Sequence, residues 1–353
     1  MSILAKPLQL GDITISNRII MAPLTRSRSG KDRIPNDLMR EYYEQRATAG
    51  LILTEATIID EKAAGYAETP GIYSAEQIAG WKKITDAVHK KGGKIFVQLW
   101  HVGRISDPMF LNGDTPVAPS AIQPTGHVSL VRPLKDYVTP RALTTSEVKQ
   151  WVQKYRQAAI NAKQAGFDGV ELHAANGYLV DQFLQDKTNH RDDEYGGSIE
   201  NRARFLLEIT DALIEVYGAG RVGVHLAPRM DSHDMGDSNP KALFGYVAQK
   251  LGHRKIAFIF TREAQGPGFL GDYIKKEFGG VLIANQKYTK ESAEAAIENG
   301  HADAVSWGVN FIANPDLPMR LIEGLPLNNV DVNTLYQGGA AGYTDYPFYH
   351  SDK

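Results

Sequence analysis

Asp168-Gly-Val-Glu-Leu-His173-Ala-Ala-Asn176-Gly-Tyr178-Leu is the stretch around which the rest of the chain is organised. An apolar run typical of a buried parallel strand ends at His173. If the chain then turns helically, positions three apart share one side, so His173 and Asn176 can donate hydrogen bonds to one point with Tyr178 close by. Two donors beside a weak acid suit polarising a carbonyl while a proton is delivered nearby. Taken alone, the stretch fits at least as well a histidine that caps a strand and an asparagine in a turn.

The composition narrows the class of protein. The chain has 353 residues, a formal net charge of −2 and no cysteine. This charge gives no electrostatic case for binding nucleic acid or an anionic membrane. The lack of cysteine excludes disulfides, thiolate metal sites and a thiol nucleophile. The first residues lack the apolar core of a signal peptide, and no apolar run reaches the length of a membrane span. We therefore expect a soluble cytoplasmic protein.

Apolar runs typical of strands alternate with helical patterns along the whole chain. A β-hairpin is predicted over residues 8–16, and capping boxes at Ser74-x-x-Gln77 and Thr144-x-x-Glu147 open two of the helices. Eight strands, each followed by a helix, predict an α/β protein with a (β/α)8 TIM barrel, in one domain over residues 1–353. No Gly-x-Gly-x-x-Gly follows a strand, which argues against a dinucleotide-binding sheet. The predicted strands cover residues 18–22, 51–55, 94–100, the run ending at 173, 221–226, 256–260, 280–284 and 302–307.

The segment from about residue 103 to 140, after the third strand, breaks this pattern. It is rich in proline, has few periodic apolar runs and is too long for a plain connection. Such an insertion is either a lid or binding element carried by a loop, or an inert surface excursion.

Chemistry in this fold lies at the carboxyl ends of the strands. The residues there form hydrogen bonds but mostly carry no fixed charge, and no carboxylate pair, acidic cluster or serine elbow is present, so we predict no metal site and no hydrolysis. Neutral donors and acceptors suit a flavin, whose phosphate would lie near Ser306-Trp-Gly308-Val-Asn310. Other phosphorylated ligands stay open, since many barrels hold them.

Long motifs then appear in order along the chain. They include Asn17-Arg-Ile-Ile-Met-Ala-Pro-Leu-Thr25-Arg, Gln98-Leu-Trp-His-x-Gly-Arg104, His173-Ala-Ala-Asn-Gly-Tyr178-Leu and Gly342-Tyr-Thr-Asp-Tyr-Pro347. On these motifs the chain resembles the old yellow enzyme family of FMN-dependent ene-reductases, and is most similar to the N-ethylmaleimide, xenobiotic and nitrate-ester reductase branches. The resemblance implies a bound FMN that NADPH or NADH reduces.

The resemblance also implies a role for each site residue. The oxygen of an α,β-unsaturated carbonyl or maleimide would lie on His173 and Asn176, and Tyr178 would protonate the α-carbon after hydride transfer from flavin N5. Aromatic walls of the substrate pocket would be Tyr66, Trp100 and Tyr343, for which plain core packing is the alternative. The residues implied to bind FMN are Pro23, Leu24, Thr25, Ala56, Gln98, His225, Asn285, Gln286, Gly308 and Val309.

Two positions depart from the commonest family pattern. His225 stands where the fifth strand usually presents an arginine to flavin N1 and O2, and Arg229 is a candidate substitute if its loop folds back. Val309 stands where many members place a basic residue on the phosphate. Since a histidine is mostly neutral at pH 7, we predict that FMN binds more weakly, or with a more negative potential, than in arginine-bearing relatives.

Three interpretations of the function remain at this point. The first is an NAD(P)H-dependent ene-reductase. The second is a nitrate-ester or nitroaromatic reductase on the same site, and the third a flavin-binding protein without turnover. Each is expected to act on or bind small molecules, as a monomer or a homodimer.

Overall fold

The computed structural model describes residues 2–349. Its strands are β1 Leu8–Leu10, β2 Ile13–Ile15, β3 Ile19–Met21, β4 Leu51–Leu53, β5 Thr57–Ile58, β6 Ile95–Trp100, β7 Val117–Ala118, β8 Arg141–Ala142, β9 Gly169–Ala174, β10 Val222–Leu226, β11 Phe258–Arg262, β12 Leu282–Asn285 and β13 Ala304–Trp307. Its α-helices are α1 Asp37–Gln45, α2 Ala75–Lys90, α3 Thr145–Gln164, α4 Leu179–Leu184, α5 Ile199–Tyr217, α6 Pro240–His253, α7 Gly271–Phe278, α8 Lys290–Glu298, α9 Val309–Ala313 and α10 Leu317–Glu323.

Eight parallel strands close into a barrel. Their order is β4-β3-β13-β12-β11-β10-β9-β6, and pairing of β4 with β6 closes the ring. The (β/α)8 fold predicted from the sequence is therefore confirmed. The sixth barrel strand covers Phe258–Arg262 instead of the predicted residues 256–260. The strand thus ends at Arg262, two residues beyond its expected end.

The predicted N-terminal hairpin is present and covers one end of the barrel. Strands β1 and β2 pair antiparallel, with Leu8 opposite Ile15. Apolar side chains of the hairpin form one buried cluster with interior residues of the barrel, among them Phe96 and Phe258. The hairpin therefore closes the amino-terminal end of the barrel with apolar packing, which leaves the carboxyl ends of the strands for polar chemistry.

Helix starts follow the local signals in the sequence. Ser74 and Thr144 each accept a hydrogen bond from the backbone N–H of the third helical residue. The side chains of Gln77 and Glu147 in turn accept one from the cap backbone N–H, so both predicted capping boxes are formed. None of the helices in the described part of the chain is long and apolar enough to cross a membrane.

The segment at residues 103–140 packs beside the loop that follows β10. Thr125 bonds Asp234 through both its amide and its hydroxyl, and Arg104 donates to the His233 carbonyl at 2.6 Å. Strand β7 lies within the segment and pairs with β8, which follows directly after the segment. The interpretation of this segment as a lid stays a prediction.

Candidate active site

The stretch at residues 168–179 contains β9 and the turn at its carboxyl end. Beyond this strand the chain does not turn helically, because Asn176 and Gly177 adopt left-handed φ values of 59° and 79° and α4 begins only at Leu179. Asparagine and glycine tolerate this conformation best. A turn closed by a 3.2 Å hydrogen bond from the Tyr178 amide to the Ala175 carbonyl results. The tight turn brings Tyr178 back over the strand end, where its ring stands perpendicular to that of His173 with centroids 5.0 Å apart.

Two further aromatic residues singled out in the sequence lie against Tyr178. The Tyr66 hydroxyl is 2.8 Å from that of Tyr178, and the Trp100 ring meets the Tyr178 ring edge-on at 5.0 Å. Burial raises the pKa of Tyr66 to about 12 and that of Tyr178 well above its ordinary value, since a phenolate is disfavoured in an apolar site. Both phenols therefore keep their protons at pH 7.

The two imidazoles of the site face each other across neighbouring strands. His173 and His225 lie opposite in register, and their rings stack at 5.2 Å. Burial lowers the pKa of His173 to about 3, and burial, together with His173 itself, lowers that of His225 well below 6.5. His173 Nδ1 and His225 Nε2 are buried without a hydrogen-bond partner among residues 2–349. Neutral rings with unpaired nitrogen atoms are suited to bonding a ligand.

Gln98 links His225 to a buried carboxyl group. Its Nε2 lies 2.8 Å from Glu171 Oε2 and 3.0 Å from His225 Nδ1. Because the amide donates to Nδ1, His225 carries its own proton on Nε2, the atom without a partner. Burial raises the pKa of Glu171 to about 8. The barrel interior beneath the site is thus a hydrogen-bonded network with no net charge at pH 7.

A cavity of about 430 Å³ opens at this end of the barrel, between the end of β3 and the ends of β10 to β13. It presents the unpaired His225 Nε2 and several amide side chains to a ligand. A Cβ at position 308 would lie 3.1 Å from the Leu24 side chain, so glycine at this position lets a ligand approach the backbone closely. These features fit a polar heterocycle that carries a phosphate. The residues singled out in the sequence that line the cavity are Pro23, Leu24, Asn176, His225, Asn285, Gln286, Gly308 and Val309.

Three of the residues implied to bind FMN do not line this cavity directly. Thr25 and Ala56 follow β3 and β4 at the same end of the barrel, and Ala56 is buried. Gln98 reaches the cavity wall through its hydrogen bond to His225. The structure therefore places all three around the same barrel mouth.

Sequence reasoning missed several residues of the cavity, and Arg262 is the most informative. It lines the cavity, and its Nη1 donates to Asn176 Oδ1 at 3.2 Å. This bond fixes the amide of Asn176 with its oxygen occupied, so that the NH2 group is free for a ligand. The sequence carried no signal for Arg262, because the predicted strand ended two residues before it. Other cavity residues missed include Lys287, Tyr288 and Tyr336.

The expectation that Tyr343 is a wall of the substrate pocket is wrong. Tyr343 is fully buried, stacks on Tyr42 at 4.1 Å and lies beneath the guanidinium of Arg28 at 4.4 Å. These contacts hold the C-terminal segment onto the barrel. Tyr336, seven residues earlier in that segment, lines the cavity instead and is 46% exposed.

Arg229, the candidate substitute for the missing arginine, does not fold back to the cavity. Its side chain forms an ion pair with Glu263 and donates to the Pro267 carbonyl at 2.6 Å, in the loop after β11. With its donors turned to that loop, Arg229 does not line the cavity.

Comparison with known proteins matches this site and fold to one family. The chain matches the model of the NADH:flavin oxidoreductase / NADH oxidase family over residues 3–328. It is 45% identical to a probable flavin mononucleotide-dependent alkene reductase of Leishmania infantum, covering 98% of this chain and 97% of that protein. It is 44% identical to 12-oxophytodienoate reductase 1 of Oryza sativa subsp. japonica, covering 98% and 93%.

Solved structures give the same result. A structure of morphinone reductase in complex with tetrahydroNAD is 48% identical, covers 99% of this chain and 98% of its own, and has a TM-score of 0.95. The old yellow enzyme homologue from Zymomonas mobilis is 45% identical, covers 98% and 99%, and also has a TM-score of 0.95. The chain therefore belongs to the old yellow enzyme family, and the protein is an FMN-dependent NADH:flavin oxidoreductase.

Proposed function

We propose that this protein is an ene-reductase that uses NADPH or NADH to reduce the C=C bond of enones and maleimides. The observation that carries the proposal is the arrangement of neutral His173 and Asn176 beside the phenol of Tyr178 at the barrel mouth. The names of the Leishmania and rice relatives, an alkene reductase and a 12-oxophytodienoate reductase, support it.

The cavity between β3 and β13 would hold FMN. Pro23 and Leu24 would lie along the ring, with Thr25, Ala56, Gln98 and His225 at its polar edges. The loops after β12 and β13 would hold the phosphate through Asn285, Gln286, Gly308 and Val309, with Lys287 as the cation nearby. When bound there, FMN would supply the hydride for the β-carbon of the substrate, with the nicotinamide as its reductant. Tyr66 and Trp100 would border the substrate.

His173 and Asn176 would bind the carbonyl oxygen of the substrate. Neutral donors in a buried site stabilise negative charge on that oxygen as it develops, and they do so without having to reorganise. Asn176 is prepared for this role because Arg262 occupies its Oδ1 and leaves the NH2 group free. His173 stays neutral because burial lowers its pKa to about 3.

Tyr178 would deliver the proton to the α-carbon. Its hydroxyl contacts that of Tyr66 at 2.8 Å, which fixes the position of the donor. Because burial raises the pKa of Tyr178 well above its ordinary value, it yields its proton only to a strong base such as a carbon with developing negative charge.

The test is a pair of half-reactions on purified, FMN-loaded protein without oxygen. NADPH or NADH should bleach the flavin absorbance, and 2-cyclohexenone or N-ethylmaleimide should restore it with formation of the saturated product. A nitrate ester is the third oxidant to compare. Reoxidation by the nitrate ester but by neither alkene would show that the protein is not an ene-reductase.

A further inference from the structure

The cavity offers positive charge and no negative charge. Among the described residues that line it none is Asp or Glu, whereas Arg262 and Lys287 are cationic. Charge of one sign in a cleft with low-dielectric walls focuses the field on the ligand. The cavity therefore favours a ligand that carries or develops negative charge.

Arg262 reaches the barrel mouth from the strand next to that of His225. In the parallel register Phe260 lies opposite His225, and their rings pack at 4.3 Å. Side chains alternate along a strand, so Arg262 lies on the same face as Phe260 and one step nearer the open end. On the other side of β11, Arg262 lies opposite Asn285 of β12 in the parallel register. Arg262 thus stands above His225, one strand away.

The guanidinium of Arg262 has donors to spare. It is half-buried, it has no carboxylate partner among residues 2–349, and its hydrogen bond in this structure goes to Asn176 Oδ1. A guanidinium carries five N–H donors, so most of them are free. Arg229 is the contrast, since it is paired with Glu263. Removing a cation from water without a counter-charge costs free energy, and an anionic ligand at Arg262 would offset that cost.

His225 does not supply this charge. It is 4% exposed, it packs between the rings of His173 and Phe260, and Gln98 occupies its Nδ1. Its remaining nitrogen offers one neutral N–H. The fifth barrel strand therefore contributes a hydrogen bond where the family resemblance expects a cation.

We propose that Arg262 is the positively charged group that stabilises reduced FMN in this protein, in place of the arginine expected on the strand of His225. The inference rests on the proposed function, since it takes this cavity as the FMN site. Reduced flavin carries negative charge near N1 and the C2 carbonyl, and a nearby cation stabilises it over the oxidised form. The expectation of an unusually negative potential from the loss of the strand-five arginine is therefore replaced by the expectation of an ordinary one.

The test measures two quantities for each variant: the midpoint potential of bound FMN and the dissociation constant of oxidised FMN. In Arg262→Gln, reduced FMN should bind about tenfold more weakly relative to oxidised FMN, which lowers the two-electron potential by about 30 mV. Arg262→Lys should keep most of the potential. Arg229→Gln removes an equal charge outside the cavity and should leave the potential unchanged. If Arg262→Gln does not fold, Arg262→Met removes the same charge and is measured in its place.

A double variant tests whether the position of the charge matters less than its presence. Combining His225→Arg with Arg262→Gln should restore the potential, because the charge returns to the neighbouring strand. A folded, flavin-bound Arg262→Gln protein with the wild-type potential, or an equal shift in Arg229→Gln, overturns the inference and leaves the proposed function standing. A wild-type protein that binds no FMN overturns both.

Discussion

The hydroxyl oxygens of Tyr66 and Tyr178 lie 2.8 Å apart. Tyr66 comes from the loop after β5, and Tyr178 from the turn after β9, so the contact joins two distant parts of the chain over the barrel mouth. Either hydroxyl can donate in this pair. The contact holds the Tyr178 phenol in a fixed place beside His173, where a substrate bound to His173 and Asn176 would meet it.

Replacing Tyr178 by Phe should separate the two half-reactions. The variant lacks the proton donor, so reoxidation by 2-cyclohexenone should slow about 100- to 10,000-fold, the range for loss of a general acid. Flavin reduction by NADPH needs no such proton and should change little. Stopped-flow absorbance measures both rates. Tyr66→Phe is the matched control, since it removes the partner hydroxyl but keeps the proton donor on Tyr178, and it should slow reoxidation far less. Equal slowing of both half-reactions in Tyr178→Phe would remove Tyr178 from its assigned role.

Glu171 should make the protein less stable as the pH rises. Burial raises its folded pKa to about 8, whereas an unfolded glutamate has a pKa of about 4.3. Between these values the unfolded chain has released a proton that the folded protein keeps, so raising the pH favours unfolding. The stabilisation from the protonated Glu171 is full below about pH 4.3 and is lost as the pH approaches 8.

Glu171→Gln should abolish this contribution. Relative to wild type, the variant should gain up to about 2.7 kcal/mol of unfolding free energy between about pH 5.5 and about pH 7.5, at about 1.4 kcal/mol per pH unit. Urea unfolding of the FMN-loaded protein at the two pH values measures the difference. Glu298→Gln, at an exposed helix end, is the control and should behave as wild type. A Glu171→Gln protein with the wild-type pH profile would show that Glu171 is ionised in the fold.

The two tyrosines of the C-terminal segment should give opposite results. Tyr343→Ala removes a fully buried ring stacked on Tyr42 and should destabilise the protein by about 3–5 kcal/mol. Tyr336→Ala removes a half-exposed ring at the cavity and should leave the melting temperature nearly unchanged while altering the KM for enones. Thermal melts and steady-state kinetics on both variants check this. A changed KM in Tyr343→Ala, with Tyr336→Ala at wild-type kinetics, would contradict the assignment.

The sequence predicts the barrel well because the fold depends on repeated local patterns. The apolar runs mark the parallel strands, and the capping boxes at Ser74 and Thr144 mark helix starts within one residue. Boundaries are predicted less well: β11, β12 and β13 each begin two residues later than predicted, because apolar residues continue past the point where pairing stops.

The residues of the site also differ in how well the sequence predicts them. His173, Asn176 and Tyr178 lie within one short stretch, so the sequence places them at one strand end, although the turn that joins them is left-handed and not the helical one that the spacing suggests. Arg262 becomes a cavity residue only through the register of β11 against β10, which is a long-range property. Tyr336 and Tyr343 both lie in an irregular segment, and only the packing of Tyr343 on Tyr42 decides which of the two faces the site.

Lys287 should provide the cation that Val309 does not. Both residues line the cavity, and Lys287 is exposed, with no salt bridge in the described part of the chain. A lysine acts on phosphate as a point charge and needs no fixed geometry. Lys287→Met should therefore weaken FMN binding several-fold and reduce its dependence on salt, because one charge contact is lost.

The matched control for Lys287 is Lys276→Met, which makes the same change on the exposed face of α7. It should leave FMN affinity at the wild-type value. Adding Val309→Arg to Lys287→Met should recover the affinity, since it returns a positive charge to the cavity from the start of α9. Fluorescence titration of FMN at low and high salt measures all three variants. If Lys287→Met binds FMN as tightly as Lys276→Met at low salt, backbone and amide groups hold the phosphate without Lys287.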